Sequence, residues 1–316
     1  MISPLGGHAL EALTPETAVA VDRSRCVRHR CTRNECRKCL DVCPTDAITW
    51  SAPGDNPGLS VNPDACTQCL RCLAVCPTAA LKSPELSLPR ILSELAAHAA
   101  PVLGCGGQPA TEAHARMPCL GYLAHPEVMA LLGLVYPEGL QINLTSCGDC
   151  ANGHMVDGVR EAHARLRDLV PGHRIEMVHE QGELDFQAPS LSRRQLFTFF
   201  RERTTRAAVT MVARLQSEKS QSYGNKQVPA TRALLLKAME GMPGESRRNI
   251  ANQLFGRISF TPQCIRSEGC VGVCPTGAIQ PADDDTQPPF FDGDLCVACN
   301  SCQAFCRNQG VTVLPS

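Results

Sequence analysis

Apolar residues in this chain come in short runs, and the runs predict small elements. Pro101–Leu103 is a brief apolar run that ends at Gly104-Cys105-Gly106-Gly107, and in a second run, Leu140–Leu144, Gln and Asn alternate with Ile and Leu. Between them Val128, Leu131 and Leu132 sit at helical spacing behind Pro126, whose fixed φ suits a first helical turn. A further helix is predicted at about Met155–Leu169 and a strand at Ile175–Val178. Strand, helix, strand, helix, strand in that order predicts a small parallel α/β layer. Toward the two ends the pattern shrinks to short β-type pairs, Ile48–Trp50 with Leu59–Val61 and Ala278–Gln280 with Phe290–Phe291. No run approaches the roughly 18 apolar residues of a membrane span, so none is expected.

These patterns divide the chain into five regions. Residues 1–22 form a poorly patterned leader, and 23–86 and 258–316 are cysteine-rich ends. Residues 87–185 carry the alternating helix and strand signals, and 186–257 form a glycine-poor, helical connector. A length of 316 residues suits two or three domains. Aromatic bulk is scarce, with one Trp, three Tyr and nine Phe, so small domains at the ends need staples beyond an apolar core. A net charge of −1 gives no overall bias toward nucleic acid or an anionic membrane.

The cysteines can supply those staples. Among the 20 Cys, two strings share one spacing: Cys66-x2-Cys69-x2-Cys72-x3-Cys76-Pro77 and Cys296-x2-Cys299-x2-Cys302-x3-Cys306. Each puts three thiolates on a tight loop and a fourth on the following turn, which suits an iron–sulfur cluster that needs soft ligands from several directions. Met1–Ala20 shows no basic start followed by an apolar run, so no signal peptide is expected. A reducing cytoplasm is then the expected compartment, and disulfides are disfavoured. Pairs of the form C-x2-C also serve zinc, but the fourth cysteine at x3, followed by proline, favours iron and sulfur.

The ends are also internal repeats. Cys43-Pro44-Thr45-Asp46-Ala47-Ile48, Cys76-Pro77-Thr78-Ala79-Ala80-Leu81 and Cys274-Pro275-Thr276-Gly277-Ala278-Ile279 share one pattern. Residues 23–86 and 258–316 resemble the bacterial two-cluster ferredoxin, a pseudo-twofold fold of two hairpins with two short helices. The resemblance implies α+β ferredoxin-like cluster domains at both ends, flanking the small parallel α/β middle domain and the helical connector. It also implies that the fourth cysteine of each string ligates the other cluster. Cys43, Cys66, Cys69 and Cys72 would then hold one [4Fe–4S] cluster, and Cys36, Cys39, Cys76 and Cys31 another. The gap from Cys31 to Cys36 is x4 where x2 is expected, and Cys26 lies a further x4 upstream. Either residue can be the fourth ligand, and the shorter loop favours Cys31. A third [4Fe–4S] cluster would take Cys274, Cys296, Cys299 and Cys302. The remaining register, Cys264-x2-Ser267-x2-Cys270, has serine at its second position, leaving Cys264, Cys270 and Cys306. That resembles seven-iron ferredoxins and implies a [3Fe–4S] cluster. A [4Fe–4S] cluster with the harder Ser267 oxygen as ligand, and an empty half, are the alternatives.

Four further cysteines lie in the middle. Cys105 and Cys147 fall just past the carboxyl ends of two predicted strands, where open parallel sheets gather ligands, and Cys119 and Cys150 complete a four-thiol set. Four unrelated core thiols are the plainer alternative. The runs Met117-Pro118-Cys119-Leu120-Gly121 and Ser146-Cys147-Gly148-Asp149-Cys150-Ala151-Asn152-Gly153 resemble the delta subunit of methyl-viologen-reducing hydrogenase. That resemblance implies a [2Fe–2S] cluster here, and a partner of flavoprotein or hydrogenase type.

From Arg193 to Arg257 there are 13 Lys or Arg against four Asp or Glu, with Phe197, Phe199 and Phe200 among the first arginines. This is either a solvated linker or a docking face for an acidic redox partner. No recognition-helix or RNA-binding motif supports nucleic acid as a partner. The chain has no G-x-G-x-x-G, P-loop or nucleophile motif. An electron-transfer component of a larger oxidoreductase is therefore expected, rather than a catalytic subunit. An enzyme with a catalytic middle cluster, and a redox sensor or assembly protein, are the alternatives.

Overall fold

The computed structural model describes residues 19–51, 58–108, 110–188, 226–265, 269–282 and 287–314. Ser267, Phe197, Phe199, Phe200 and most of the cationic tract lie outside the described residues.

The N-terminal unit runs β1 (Ala20–Val21), α1 (Val27–Arg30), α2 (Lys38–Asp41), β2 (Ile48–Ser51), β3 (Gly58–Val61), α3 (Arg71–Val75) and β4 (Leu81–Lys82). β2 and β3 pair antiparallel with Ile48 opposite Val61, as their sequence pattern predicts. β1 pairs antiparallel with β4, Val21 opposite Leu81, although it falls in the leader span 1–22. Two residues are too few to carry a pattern. Asp22 fixes this strand instead, through its N–H to the Ala80 carbonyl at 2.7 Å and its carboxylate to Lys82 at 2.7 Å.

The middle unit begins with α4 (Leu88–Leu95), capped by the Ser87 hydroxyl and buried along Leu88, Ile91, Leu92 and Leu95. Then follow β5 (Val102–Cys105), β6 (Ala115–Met117), α5 (Pro126–Val135), β7 (Leu140–Asn143), α6 (Val156–Leu169) and β8 (Ile175–Val178). The strands form one parallel sheet in the order β6-β5-β7-β8. Sequence patterning predicts β5, β7, β8 and both later helices. β6 escapes it because Ala115-Arg116-Met117 is too short and mixed to form a run. α5 is buried on nearly every side, whereas α6 shows the core a single stripe of Val159, Ala162, Leu166 and Leu169.

Within the connector, α7 (Ala230–Ala238) packs on α5, and α8 (Gly244–Leu254) meets α6. Arg232 of α7 is fully buried and forks onto both carboxylate oxygens of Glu127, at 2.7 and 3.0 Å. Its third nitrogen donates to the carbonyls of Asp294 and Cys296 at 2.9 Å, tying the middle unit to the C-terminal end.

That end contains β9 (Arg257–Phe260), α9 (Gly269–Val273), β10 (Ile279–Gln280), β11 (Phe290–Phe291), α10 (Ser301–Phe305) and β12 (Val311–Leu314). β9 pairs antiparallel with β12, and β10 with β11, so an outer and an inner strand pair recur at both ends of the chain. One continuous apolar core spans the N-terminal unit, the middle sheet and α7–α8. The C-terminal end has a separate small core whose fully buried members are Cys274, Ala278, Ile279, Cys302 and Val311. No described helix is long and apolar enough to cross a membrane.

Candidate metal centres

Turns of the same shape carry the ligand strings at both ends. Gln68 and Leu70 adopt φ of +57° and +59° within the first string, and Ala298 and Asn300 adopt +47° and +61° at the matching positions of the second. The residue three beyond each fourth cysteine is also left-handed: Asp46, Ala79, Gly277 and Gln309 follow Cys43, Cys76, Cys274 and Cys306. Left-handed backbone is costly for non-glycine residues and persists where surroundings over-determine it, which places these turns among ligand clamps. Their effect is to aim N–H groups at sulfur: Ala80 N–H donates to Cys76 Sγ and Gly310 N–H to Cys306 Sγ, both at 3.2 Å.

One thiol set lies where β2, β3 and α1 meet. Cys26, Cys36, Cys39 and Cys76 line a single cavity with Trp50, Leu59 and Leu81. Burial pushes the Cys39 thiol up to about 12, helped by Cys76, Cys36 and Cys26 close by. Burial also raises Cys26, and the N–H groups of His29 and Arg28 at the start of α1 pull the other way. Cys31, the fourth ligand favoured by loop length, does not line this cavity. It closes the far end of α1, its N–H bonded to the Val27 carbonyl at 2.9 Å, and faces the C-terminal end.

The second set is Cys43, Cys66, Cys69 and Cys72, around a cavity shared with Val19, Ile48 and Val61. Burial drives Cys72 far above its ordinary range, reinforced by Cys69, Cys39, Cys66 and Cys43. Cys39 belongs to the first set, so the two sets adjoin.

Cys274, Cys296, Cys299 and Cys302 form the third. Burial again raises Cys302, with Cys299, Cys296 and Cys274 close by, and lifts Cys299 to about 11. Lys226 locks the preceding turn by donating to the carbonyls of Val271, Gly272 and Cys274 at 2.7–2.8 Å. In the remaining register, burial raises Cys270 to about 11, with Cys264 and Cys306 nearby. These three thiols line a cavity of about 610 Å3, and Cys31 stands on its wall.

In the middle unit, Cys105 ends β5, Cys119 lies two residues beyond β6, and Cys147 follows β7. Three adjacent parallel strands thus deliver three thiols to one edge, joined by Cys150. Cys105 and Cys119 lie close together as a pair, and the Cys119 thiol lowers Cys105 below its ordinary range. Burial opposes this, and the N–H groups of Gly107, Gln108 and Leu120 assist. The same pairing, with burial, drives Cys119 far up. Burial raises Cys147 to about 11, with Cys105 and Cys150 beside it. Gly121, two residues beyond Cys119, lies against the Cys69 carbonyl of the second set, so this edge adjoins the N-terminal unit.

Among the described residues, no group of three or more His, Cys, Asp or Glu is placed to hold a metal ion. A lone tetrahedral ion with metal–sulfur bonds of about 2.3 Å would draw its thiolates to within about 3.8 Å of one another. The thiols at the N-terminal end instead ring cavities, an arrangement that fits a multi-atom core of iron and sulfide. Comparison with curated proteins and with solved structures found no match for the chain. Residues 30–80 match the 4Fe-4S dicluster domain family, which makes this an iron–sulfur protein with a general electron-transfer role.

Proposed function

We propose that the chain is a multi-cluster electron relay, with ferredoxin-like units at both ends, that serves as a component or partner of a larger oxidoreductase. The bound clusters would supply one-electron sites at potentials set by charge, hydrogen bonds to sulfur and exposure. Three sets of thiols would hold [4Fe–4S] cores: Cys26, Cys36, Cys39 and Cys76; Cys43, Cys66, Cys69 and Cys72; and Cys274, Cys296, Cys299 and Cys302. The middle set, Cys105, Cys119, Cys147 and Cys150, would hold a further cluster. Its segment's likeness to a hydrogenase delta subunit favours [2Fe–2S] and a flavoprotein or hydrogenase-type partner.

The adjacency of sets carries this reading. α2, which carries Cys39, packs on α3, which carries Cys72, and Gly121, two residues beyond Cys119, lies against the Cys69 carbonyl, so the middle edge adjoins the second set and the second set adjoins the first. The protein's own contribution is to keep water out, aim N–H groups at sulfur and fix the distances. Arg28 over the Trp50 ring at 3.9 Å and the Lys226 clamp place cations close to two of the sets.

The test is iron and acid-labile sulfide analysis of anaerobically isolated chain, with electron paramagnetic resonance during a reductive titration. Several cluster signals that reduce at different potentials and reoxidise with an artificial acceptor are expected. Fewer than about eight irons per chain would sink the relay.

A further inference from the structure

The C-terminal register with serine at its second position is one thiolate short, and the N-terminal unit has one thiolate too many. The two irregularities meet in space. Cys31 lines the same cavity as Cys264, Cys270 and Cys306, together with Arg33 and Phe305. We propose that Cys31 is the fourth ligand of a [4Fe–4S] cluster held across the two ends of the chain, with Cys264, Cys270 and Cys306 supplying the other three thiolates. The proposal rests on the iron–sulfur reading above, and it replaces the three-iron cluster that the serine implies.

Four observations support it. First, Cys26 takes the place at the Cys36, Cys39 and Cys76 cavity that loop length assigns to Cys31, so Cys31 is free for another site. α1 causes the exchange, because its single turn separates Cys26 at one end from Cys31 at the other. Second, the loop that carries Cys31 is pinned to the opposite unit. Arg33 donates to the Phe305 carbonyl at 3.3 Å, one residue before Cys306. The buried Asn34 amide donates to the Cys299 carbonyl at 3.0 Å and to the Ser301 hydroxyl at 3.3 Å. Third, the Asn34 Oδ1 accepts from the Cys36 N–H at 3.0 Å, so one side chain fixes the turn between the two cavities. Fourth, the cavity wall is cationic, with Arg30, Arg33 and Arg307, which suits an anionic thiolate-ligated core. Among the described residues, the buried Arg30 Nε has no hydrogen-bond partner.

Binding is a ligand substitution. Cys31 releases its thiol proton to solvent and its sulfur bonds one iron as that iron's bond to a water or small-thiol ligand breaks and the displaced ligand leaves to solvent, with no electron transferred.

The experiment uses the full chain, loaded anaerobically with an equal mixture of ferric and ferrous iron and with sulfide, and compares wild type, Cys31→Ala, Cys26→Ala, and Cys31→Ala with Ser267→Cys. Resonance and Mössbauer spectra are the readouts, with iron content. In wild type the proposal expects four-iron signals only at the chain ends. In Cys31→Ala one of them converts to a three-iron signal, with a loss of about one iron per chain. Cys26→Ala should alter a different cluster, and Ser267→Cys should restore the four-iron signal to the Cys31→Ala chain. Should the alanine chain not fold, Cys31→Ser keeps the shape and should shift one four-iron spectrum. A three-iron signal already present in wild type and untouched by either Cys31 variant overturns the proposal. Absence of cluster signals at both ends in wild type would overturn the underlying iron–sulfur relay instead.

Discussion

Gly121 shows how much a single position can matter to the junction between units. A Cβ at this position would collide with the Cys69 carbonyl, on the loop that carries three thiols of the second set, and would press on Met155 at 3.2 Å. Backbone cannot swing aside as a flexible side chain can. Gly121→Ala is therefore expected to cost about 1–3 kcal/mol, as overpacking does in a dense interior. It should also perturb the resonance signal of the cluster assigned to Cys43, Cys66, Cys69 and Cys72. Gly182, where a Cβ would meet open space, is the control. Denaturation midpoints and spectra of the two alanine variants check the difference, and equal behaviour would remove Gly121 from the junction. The Cys26 and Cys31 roles show what a sequence conceals at this scale. Loop length ranks ligands by distance along the chain, yet α1 gives the two thiols different cavities, and helix geometry is invisible to a count of intervening residues.

At the scale of elements, α5 depends on its cap. His125 Nδ1 accepts the Glu127 N–H at 3.2 Å, which requires that nitrogen to be unprotonated. Burial lowers the His125 pKa below its ordinary 6.5; Glu127 opposes this and Arg232 adds to it. A depressed histidine contributes stability that is present above about 6.5 and lost as pH falls below it, because the unfolded chain then takes up the proton more readily. The stability of α5 and its neighbours is thus expected to drop over the interval in which pH falls from above about 6.5 to below it. His125→Asn keeps a capping acceptor without the titration, so its denaturation midpoint should fall less over that interval. Parallel pH slopes for the two proteins would exclude the cap as the cause. α6 was legible in the sequence because a single stripe of it meets the core, and α5, β5, β7 and β8 because their apolar residues are buried in one core. β1 and β6 were not, since two or three residues draw their order from partners distant in sequence. The ligand strings were legible because tight loops impose fixed spacing, whereas the closeness of Cys119 to Cys69 arises from packing between units.

The whole molecule divides unequally in how it is held. The N-terminal unit and the middle sheet share one core, while the C-terminal end has a small core and leans on its thiols and on Arg232, Lys226 and Asn34. Where apolar burial is small, bound metal contributes directly to folding. Removing iron anaerobically with a chelator is expected to open residues 258–316 first, while the sheet of β5–β8 keeps its amide protection. Hydrogen exchange before and after chelation reads this directly, and earlier opening of the sheet would refute it. The contact of Asn34 with Cys299 spans 265 residues, which also bears on biosynthesis. At about 5–20 residues per second, the ribosome needs roughly 13–50 seconds between the two residues. Throughout that interval the surface around Cys31 and Asn34 has nothing to close against. Under the proposed relay, the timing of iron delivery, as well as affinity, would therefore decide which thiols are filled first.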